Sequence, residues 1–312
     1  MDHHHFICPV QRTPLRVDGD MLVGDEQRYP IRRGVPRFVA DSNYADAFGL
    51  QWNTFKKTQF DSHTQTSITE SRLEQAFGRP LAQLRGLRVL EAGSGAGRFT
   101  EVLLKHGALV YSFDFSNAVD ANHDNNMPNV GLTLFQADIG NIPLESDFFD
   151  AVVCLGVLQH TPSTPGSLKE LRRVLKQGGQ IVCDHYKYHP GNFTSLYMVW
   201  WYFIKRLAPA RQLAVTDRLT QFFFPIHWTF KDAPLAQMLL RRVSPINFYY
   251  GRFDLPKDIL FEWSRLDTHD RNTDHFKRHV TKRGFEHMFE VLGFARHEVF
   301  VGGTGYVGRA FK

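Results

Sequence analysis

Short apolar runs alternate with amphipathic stretches through the middle of the chain. The connections between them are short, which favours parallel strands joined by helical crossovers. Two of the runs, "DAVVCLG" and "GQIVCD", are apolar throughout, as expected for strands covered on both faces. The pattern predicts strands at 88–92, 108–113, 132–137, 149–155 and 180–184, and helices at 97–106, 117–124 and 165–176, the last closed by Gly178 and Gly179.

The alternation returns at the C-terminal end of the sequence. A helix is predicted at 278–291, followed by the β-like runs "ARHEVFV" and "GYVGRAF". The short link "GGT" between these runs predicts an antiparallel hairpin. Added to the five strands of 87–185, the hairpin gives an α/β protein with a seven-stranded, mostly parallel sheet and an antiparallel edge.

The N-terminal pattern is different. Proline and glycine punctuate residues 1–42, which favours small hairpins and a β-rich segment. Residues 43–86 are read as a helical linker, in which Phe48, Trp52 and Phe55 follow helical spacing. Ser67, with Glu70 three residues later, predicts a capping box at the start of a helix.

Residues 186–277 interrupt the core with a helical insertion rich in aromatic residues. Arg, Lys and His are interleaved with "VWWYF", "QFFFPIHW" and "INFYYG". The most apolar window, "SLYMVWWYFI", is about half of the roughly 20 residues needed to span a bilayer, so no transmembrane helix is predicted. The aromatic side chains either form the core of the insertion or stack on an acceptor, and we expect the core for most of them.

Composition narrows the function classes. The 312 residues carry a formal net charge of +5 with no long run of Lys or Arg, which favours a solvated mixed surface over a nucleic-acid footprint. The three cysteines are too few and too scattered for a disulfide framework, and no signal segment opens the chain, so a cytoplasmic protein is expected. Cys154 and Cys183 are read as core residues, and the triplet His3 to His5 as a disordered start.

The candidate chemistry begins at "VLEAGSGAGRF". A dinucleotide fingerprint needs the spacing Gly-x-Gly-x-x-Gly, whereas Gly93, Gly95 and Gly97 are one residue short of it. Glu91 stands two residues before the first glycine. The loop therefore suits a positively charged ligand with a small carboxylate, with Glu91 facing an ammonium and backbone N–H groups at the helix start facing the carboxylate.

Two further acids end the next two predicted strands. Asp114 in "SFDFS" is placed to accept hydrogen bonds from ribose hydroxyls, and Asp138 in "ADIG" from an exocyclic adenine amine, with Ile139 beside the ring. An Asp at a strand end is also a common turn cap. Ligands of such sheets bind at the carboxyl ends of the strands, so the three acids and the glycine loop together predict a nucleoside site.

These motifs resemble those of the class I S-adenosylmethionine-dependent methyltransferases. The resemblance covers about 87–185, including "ADIGNIPLESDFFDAVVCLGVLQHTP" and "LKELRRVLKQGGQIV". It implies a Rossmann-like fold and S-adenosylmethionine as cosubstrate. Carried over residue by residue, it implies cofactor-binding roles for the methionine-side residues Glu91, Gly93, Ser94, Gly95, Gly97 and Leu155, the ribose-side residues Asp114 and Phe115, and the adenine-side residues Asp138 and Ile139.

The N-terminal segment, "FICPVQRTPL" and "LVGDEQRYPIRRGVPRFV", resembles the Trm112-like zinc ribbon that precedes some bacterial methyltransferases. That module needs two Cys-x-x-Cys pairs. Only Cys8 is present, with Gln11, Gly24 and Gln27 at the other positions. We therefore expect a degenerate ribbon and no zinc. The following "FGLQWNTFKK" resembles the joining segment of such proteins, so Gln51 and Trp52 either cover the cofactor or belong to a helix packed on the sheet.

Methyl transfer from a sulfonium requires in-line alignment in a site that excludes water, and a hydroxyl acceptor benefits from a general base. His160, in "GVLQHTP", follows the fourth strand, and His185 and Tyr186 follow the fifth, so these three are the catalytic candidates. His160 is also read as a structural helix-start residue. A metal cluster around His269, with Asp267, Asp270 and Asp274, is weighed and not favoured.

Three function classes remain open. The first is methylation of a small-molecule acceptor, most simply O-methylation of a glycan or natural-product-like compound capped by the insertion. The second is RNA methylation, suggested by the basic pI near 9.1 and the ribbon-like start. The third is a non-catalytic partner protein that retains the fold. The acceptor and the oligomeric state are not encoded in recognisable motifs.

Overall fold

The structure is a computed structural model that describes residues 5–40, 43–189, 195–303 and 305–312. His3 and His4 lie outside the described residues. The strands are β1 Arg16–Asp18, β2 Met21–Val23, β3 Arg28–Arg32, β4 Val35–Pro36, β5 Arg88–Ala92, β6 Leu109–Asp114, β7 Leu132–Gln136, β8 Phe149–Cys154, β9 Leu175–His185, β10 Arg296–Gly302 and β11 Gly305–Phe311.

The described helices flank these strands. They are α1 Asp46–Thr54, α2 Asp61–Thr64, α3 Ile68–Phe77, α4 Arg98–Lys105, α5 Ala118–Asn126, α6 Thr164–Val174, α7 Tyr197–Ile204, α8 Pro209–Thr229, α9 Pro234–Val243, α10 Lys257–Thr273 and α11 Lys282–Val291. Short 3₁₀ helices lie at Leu81–Leu84, before β5, and at Leu158–His160, after β8.

The large sheet confirms the predicted α/β fold. Its seven strands lie in the order β10-β11-β9-β8-β5-β6-β7. The pairs β5·β6, β6·β7, β5·β8 and β8·β9 are parallel, and the hairpin β10·β11 joins β9 antiparallel. After β7 the chain crosses to the other side of β5, so the carboxyl ends of β5, β6 and β8 face a topological switch point, where ligands of such sheets bind.

Two predicted helix boundaries are wrong. The helix predicted at 165–176 ends at Val174, because Leu175 pairs with Phe149 and already begins β9. The helix predicted at 278–291 begins at Lys282, where the Thr281 hydroxyl accepts a hydrogen bond from the Gly284 N–H at 3.1 Å.

The predicted capping box is also wrong. Ser67 stands at the N-cap of α3 but makes no capping hydrogen bond with its side chain. Asp61 takes that role from outside the helix: its carboxylate accepts from the N–H groups of Thr69 and Glu70, each at 2.9 Å. Glu70 instead pairs with Lys105 and His106 of the neighbouring turn.

The N-terminal segment forms a small antiparallel sheet, β1-β2-β3-β4, that continues onto the edge of the large sheet. The Phe38 N–H donates to the Gln136 carbonyl at 2.8 Å. Phe6 and Phe38 pack on Phe135, with ring centroids 5.2 and 6.4 Å from it. The β-rich segment thus shares its core with β7.

The insertion is helical, as predicted, and forms α7 to α10. Phe224 and Trp263 are buried in its own apolar cluster, together with Ile246, Leu255 and Leu260. Other aromatic residues of the insertion, such as Phe203 and Phe222, are exposed. Among the described residues, no helix is both long enough and apolar enough to cross a membrane.

Candidate functional site

A cavity of about 1310 Å³ opens at the carboxyl ends of β5, β6 and β8. The glycine loop and the ends of these strands form its floor, while α1, α3 and α10 contribute its other walls. The volume is large for one drug-sized ligand and therefore leaves room for a cosubstrate and an acceptor together.

The glycine loop lies in this wall with a left-handed backbone. Gly93 and Gly95 have φ angles of 77° and 53°, a conformation that residues with side chains rarely adopt. A Cβ atom on Gly95 would lie 2.8 Å from Cε2 of Trp52, so the indole packs directly on the loop. Trp52 lines the cavity, whereas Gln51 is fully buried outside it. Ser94 lines the cavity beside the two glycines.

Asp114 closes the loop from the end of β6. Its Oδ2 accepts from the Gly95 N–H at 2.9 Å, and its Oδ1 accepts from the Ser116 N–H at 2.8 Å. Burial raises the pKa of the Asp114 carboxyl, although these hydrogen bonds oppose the shift. Phe115 follows in the wall and packs on Tyr44, with ring centroids 4.8 Å apart.

The adenine-side residues and Leu155 also line the cavity. Asp138 and Ile139 stand beyond β7, and the Gly140 N–H donates to Oδ1 of Asp138 at 2.7 Å. Leu155 follows β8 and is buried. The structure therefore brings these residues of three strand ends to one cavity.

Glu91 and Gly97 do not line the cavity. The Glu91 carboxylate lies beneath the loop, where Oε2 accepts hydrogen bonds from the hydroxyls of Thr100 and Ser112, while Oε1 is buried without a partner among the described residues. Burial raises the pKa of Glu91 to about 7. A Cβ on Gly97 would meet Asn122 Oδ1 at 2.2 Å, so this glycine serves the packing of α4 on α5. The contact that we expected between Glu91 and the ammonium of the ligand stays a prediction, because Glu91 is not part of the cavity wall.

Two arginines occupy the part of the wall that the sequence analysis left to backbone N–H groups. Arg98 is the first residue of α4, and Arg72 reaches over from α3. Arg72 donates to Oδ2 of Asp184 at 2.6 Å. The Arg98 side chain makes no hydrogen bond or ion pair with the part of the chain that the structure describes, and its guanidinium lies 4.6 Å from the Phe99 ring centre. Burial, followed by the nearby Arg72 charge, lowers its pKa to about 10.

His160 stands at the far wall of the cavity in a carboxylate-linked network. Its Nδ1 lies 3.3 Å from the Phe276 carbonyl and 3.4 Å from Oδ2 of Asp274, and its Nε2 lies 3.4 Å from the Tyr186 hydroxyl. Burial lowers the pKa of the imidazolium, but the hydrogen bond to Asp274 and the charge of Asp270 overcome this, so the pKa is raised above its usual value. Asp274 also pairs with Lys277 at 2.7 Å.

Tyr186 completes this network from the end of β9. Burial raises the pKa of its phenol well above the usual value, and the charges of Asp270 and Asp274 add to the shift. Tyr186 is therefore a hydrogen-bond donor at neutral pH. From the sequence, Asp270 and Asp274 were weighed only as part of a metal cluster and not as partners of His160, since they belong to α10 and the residue after it, more than 100 residues beyond His160.

His185, the third catalytic candidate, does not line the cavity. It is fully buried outside the cavity, where Nε2 lies 3.1 Å from the Thr164 hydroxyl and Nδ1 lies 3.2 Å from the Tyr186 carbonyl. Burial lowers its pKa to about 4, so it stays neutral as a core residue. His269 is buried in the same way, between Thr216 and the Ala47 carbonyl.

The ribbon-like positions form no ligand set. Cys8 is buried, with its Sγ 3.4 Å from the Tyr29 hydroxyl, and the Gly24 N–H donates to the Gln27 carbonyl at 2.9 Å in a turn. Over the described ranges, no group of three or more His, Cys, Asp or Glu side chains is arranged to hold a metal ion. The Trm112-like resemblance of this segment stays a prediction.

The cavity wall fits the cosubstrate that the resemblance implies. Glycines form the floor, and among the described residues the guanidinium of Arg98 beside them has no carboxylate within ion-pair distance. Asp114 and Asp138 stand at the ends of successive strands, where they can accept from hydroxyl and amine groups. An amino acid carboxylate, a ribose and an adenine can each find a complementary group here.

Comparisons with known proteins agree with this geometry. Residues 90–183 match the family model described as a methyltransferase domain. The ubiquinone biosynthesis O-methyltransferase of Coxiella burnetii is 27% identical over 194 residues, which cover 60% of this chain and 79% of that protein. The demethylmenaquinone methyltransferase of Clavibacter sepedonicus is 31% identical over 131 residues, which cover 41% of this chain and 54% of that protein.

Among solved structures, an S-adenosylmethionine-dependent methyltransferase of Aquifex aeolicus aligns with a TM-score of 0.44 at 14% identity, covering 83% of this chain and 96% of that chain. The domain match, residues 90–183, lies over the strands and loops that build the cavity floor. The chain is therefore an S-adenosylmethionine-dependent methyltransferase, with S-adenosylmethionine as its cosubstrate.

Proposed function

We propose that the enzyme methylates a hydroxyl oxygen of a small-molecule acceptor, with His160 as the general base. The observation that carries the proposal is the surroundings of His160: one ring nitrogen contacts the Phe276 carbonyl and lies at ion-pair distance from Asp274, while the other nitrogen is directed toward Tyr186 in the cavity wall. A carboxylate on Nδ1 orients the imidazole and stabilises its protonated form, which is what a base needs during proton transfer.

The role of each side chain in the reaction follows from its position. S-adenosylmethionine supplies an electrophilic methyl group on a sulfonium. We infer that Gly93, Gly95 and Asp114 hold it on the floor, and that Trp52 over the loop excludes water. Tyr186, kept protonated by its raised pKa, donates to the acceptor oxygen, and His160 takes the proton that this oxygen loses.

The acceptor class follows from the rest of the wall. Phe48, Tyr197, Phe253 and Trp263 line the cavity, together with charged side chains such as Arg252 and Asp267, and their aromatic faces can stack on a planar ring. Of the glycan and natural-product-like acceptors, the natural-product-like class with an aromatic or quinol-type hydroxyl is favoured. The named activity of the Coxiella burnetii relative, an O-methyltransferase of ubiquinone biosynthesis, supports the same choice.

A transfer assay with S-[methyl-³H]adenosylmethionine tests this function. The full-length enzyme is incubated with catechols, hydroquinones and larger hydroxylated aromatics, and in parallel with monosaccharides and with RNA. We expect label in the aromatic class. For the best acceptor, His160→Asn is expected to lower kcat by about 100-fold or more. The matched control His287→Asn changes an exposed histidine outside the cavity and is expected to leave kcat unchanged.

Calorimetric binding of S-adenosylhomocysteine to each variant checks that the cofactor floor is intact. Label in RNA or sugar alone would contradict the proposed acceptor. Undiminished kcat in a His160→Asn enzyme with normal cofactor binding would contradict the proposed base.

A further inference from the structure

The insertion exposes an unusual amount of apolar surface. Ten of the seventeen large apolar side chains that are exposed among the described residues lie between positions 196 and 243. We call them the apolar face: Leu196, Val199, Tyr202, Phe203, Phe222, Phe230, Leu235, Met238, Leu239 and Val243. Single exposed apolar residues are normal, but a contiguous group on one helical region marks an interaction site.

The apolar face is built from two outward stripes. On α9, Leu235, Met238, Leu239 and Val243 follow the spacing of one helix face, and this face is turned to solvent while Gln237 is the buried residue of the helix. An amphipathic helix normally buries its apolar face, whereas α9 exposes its apolar face to solvent. On α7, Leu196, Val199 and Phe203 repeat the pattern.

The two stripes are held side by side. The Leu196 N–H donates to the Arg242 carbonyl at 2.8 Å, and the Trp200 indole N–H donates to the Val243 carbonyl at 3.2 Å. The C-terminal end of α9 therefore abuts the N-terminal end of α7. On the other side, the Gln237 side-chain amide of α9 donates to the His227 carbonyl of α8 at 2.8 Å, so α9 is hydrogen-bonded to both α7 and α8.

The same segment carries the positive charge of the molecule. Residues 195–243 contain seven Lys and Arg and two Asp and Glu. The whole chain has 37 basic and 32 acidic residues, so the remainder is balanced at 30 of each. Among the basic residues, the side chains of Arg206, Arg211, Arg218 and Arg241 are exposed.

We propose that α7, α8 and α9 dock the enzyme on an anionic phospholipid surface, with the apolar face in the headgroup region and the basic side chains on lipid phosphates and carboxylates. The combination of an outward apolar stripe and exposed Arg is that of a helix lying in the membrane interface. The helices lie on the bilayer and do not span it, since α7 has eight residues and α8 contains Pro225 with charged residues along its length.

Docking would also bring the cavity to the bilayer. Tyr197 of α7 lines the cavity, while Val199 and Phe203 on the same helix are exposed. An amphiphilic acceptor could then pass from the lipid along α7 to His160. This extension rests on the proposed function, whereas docking itself does not.

Vesicle co-sedimentation of the full-length protein, without any acceptor, tests the docking. Vesicles are phosphatidylcholine alone or phosphatidylcholine with 30% phosphatidylserine, a fraction of about one third chosen to give a clearly negative surface. We expect at least tenfold stronger binding to the anionic vesicles, weakened by added salt. The double variant F203S/L239S is expected to lose at least tenfold in binding, and R206E/R241E is expected to lose the preference for anionic lipid.

Matched controls come from exposed residues elsewhere. V291S/V301S changes two side chains that are 70% and 66% exposed but lie outside the insertion, and R283E changes an exposed basic residue of α11. Both are expected to bind vesicles like the wild type. S-adenosylhomocysteine binding checks that each variant is folded.

Equal binding of wild type and F203S/L239S to anionic vesicles would overturn the proposal, as would the absence of vesicle binding. Sedimentation velocity adds a further arm: a wild-type dimer that F203S/L239S converts to monomer would assign the apolar face to a second copy of the chain instead. Because no acceptor is present, failure here leaves the proposed reaction untouched.

Discussion

At the residue scale, Arg98 offers a sharp test of how the cofactor is oriented. It is the guanidinium in the cavity wall beside Gly95 that makes no hydrogen bond with the described residues, and a carboxylate is its natural bidentate partner. We expect Arg98→Met to weaken S-adenosylhomocysteine binding by about tenfold or more, corresponding to the roughly 1.5–3 kcal/mol of a charge-assisted hydrogen bond.

The specificity of this loss is measurable by calorimetry with two ligands. 5′-Methylthioadenosine keeps the adenine and ribose but lacks the amino acid part, so its affinity should be the same in wild type and Arg98→Met. Arg88→Met, outside the cavity wall, serves as the matched control. Equal losses of affinity for both ligands would mean that Arg98 stabilises the fold of the loop and does not bind the carboxylate.

A second residue-scale prediction concerns pH. Asp274 contributes to the raised pKa of His160, and a base acts only when neutral, so kcat/KM should rise with pH through a midpoint above 6.5. In Asp274→Asn, burial remains while one carboxylate is lost, so the midpoint should move to lower pH and the plateau should fall by about tenfold or more. Rates measured from pH 5 to 9 with saturating cofactor give both quantities.

The linked effect on stability has a definite sign. Because the folded-state pKa of His160 is raised, its contribution to stability is fully present below pH 6.5 and is lost as the pH rises through the folded-state pKa. The Asp274→Asn variant should lose that pH dependence. If the plateau of kcat/KM falls in Asp274→Asn while the pH midpoint of kcat/KM stays the same, Asp274 only supports the structure around His160.

At the element scale, the start of α3 separates two ways of capping a helix. Asp61 accepts from the N–H groups of Thr69 and Glu70, whereas Ser67 accepts none with its side chain. Asp61→Ala should therefore lower the free energy of unfolding by about 0.5–2 kcal/mol, and Ser67→Ala by less than about 0.5 kcal/mol. Urea unfolding measures both. The reverse order of the two losses would restore the capping box read from the sequence.

The same helix shows what sequence patterns can and cannot give. Apolar runs located all five parallel strands to within one residue at most ends, because a strand buried on both faces must be apolar over its whole length. The cap of α3 was missed because Asp61 lies six residues before Ser67 and reaches the helix through the turn of α2. Such a contact depends on chain path, which periodicity does not record.

The residues of the candidate site also fall into two groups, those that the sequence located and those that it did not. Asp114 and Asp138 were located from the sequence because strand topology alone brings the ends of neighbouring strands together. Asp274 and Asp270 come from the insertion, whose docking on His160 is set by tertiary packing of α10. His185 is the last residue of β9, and successive side chains of a strand alternate in direction, so His185 faces Phe285 in the core while Tyr186 faces the cavity.

At the scale of the whole molecule, the N-terminal segment is integrated with the large sheet. Phe6 is fully buried, with its ring 5.3 Å from that of Phe38 and 5.2 Å from that of Phe135 on β7. Arg37, also buried, donates to Asp120 of α5 at 2.6 Å. These contacts join the small antiparallel sheet, β7 and α5 through one core, so the segment should unfold together with the methyltransferase core.

Phe6→Ala tests this integration. Removing a buried aromatic ring from a shared core should lower the free energy of unfolding of the whole chain by about 3–5 kcal/mol, in a single transition seen alike by far-ultraviolet circular dichroism and tryptophan fluorescence. Val17→Ala, at an exposed position of the same segment, should change it by less than about 0.5 kcal/mol. If Phe6→Ala instead splits the unfolding into two transitions while cofactor binding survives the first, the segment is an independent module resting on the sheet.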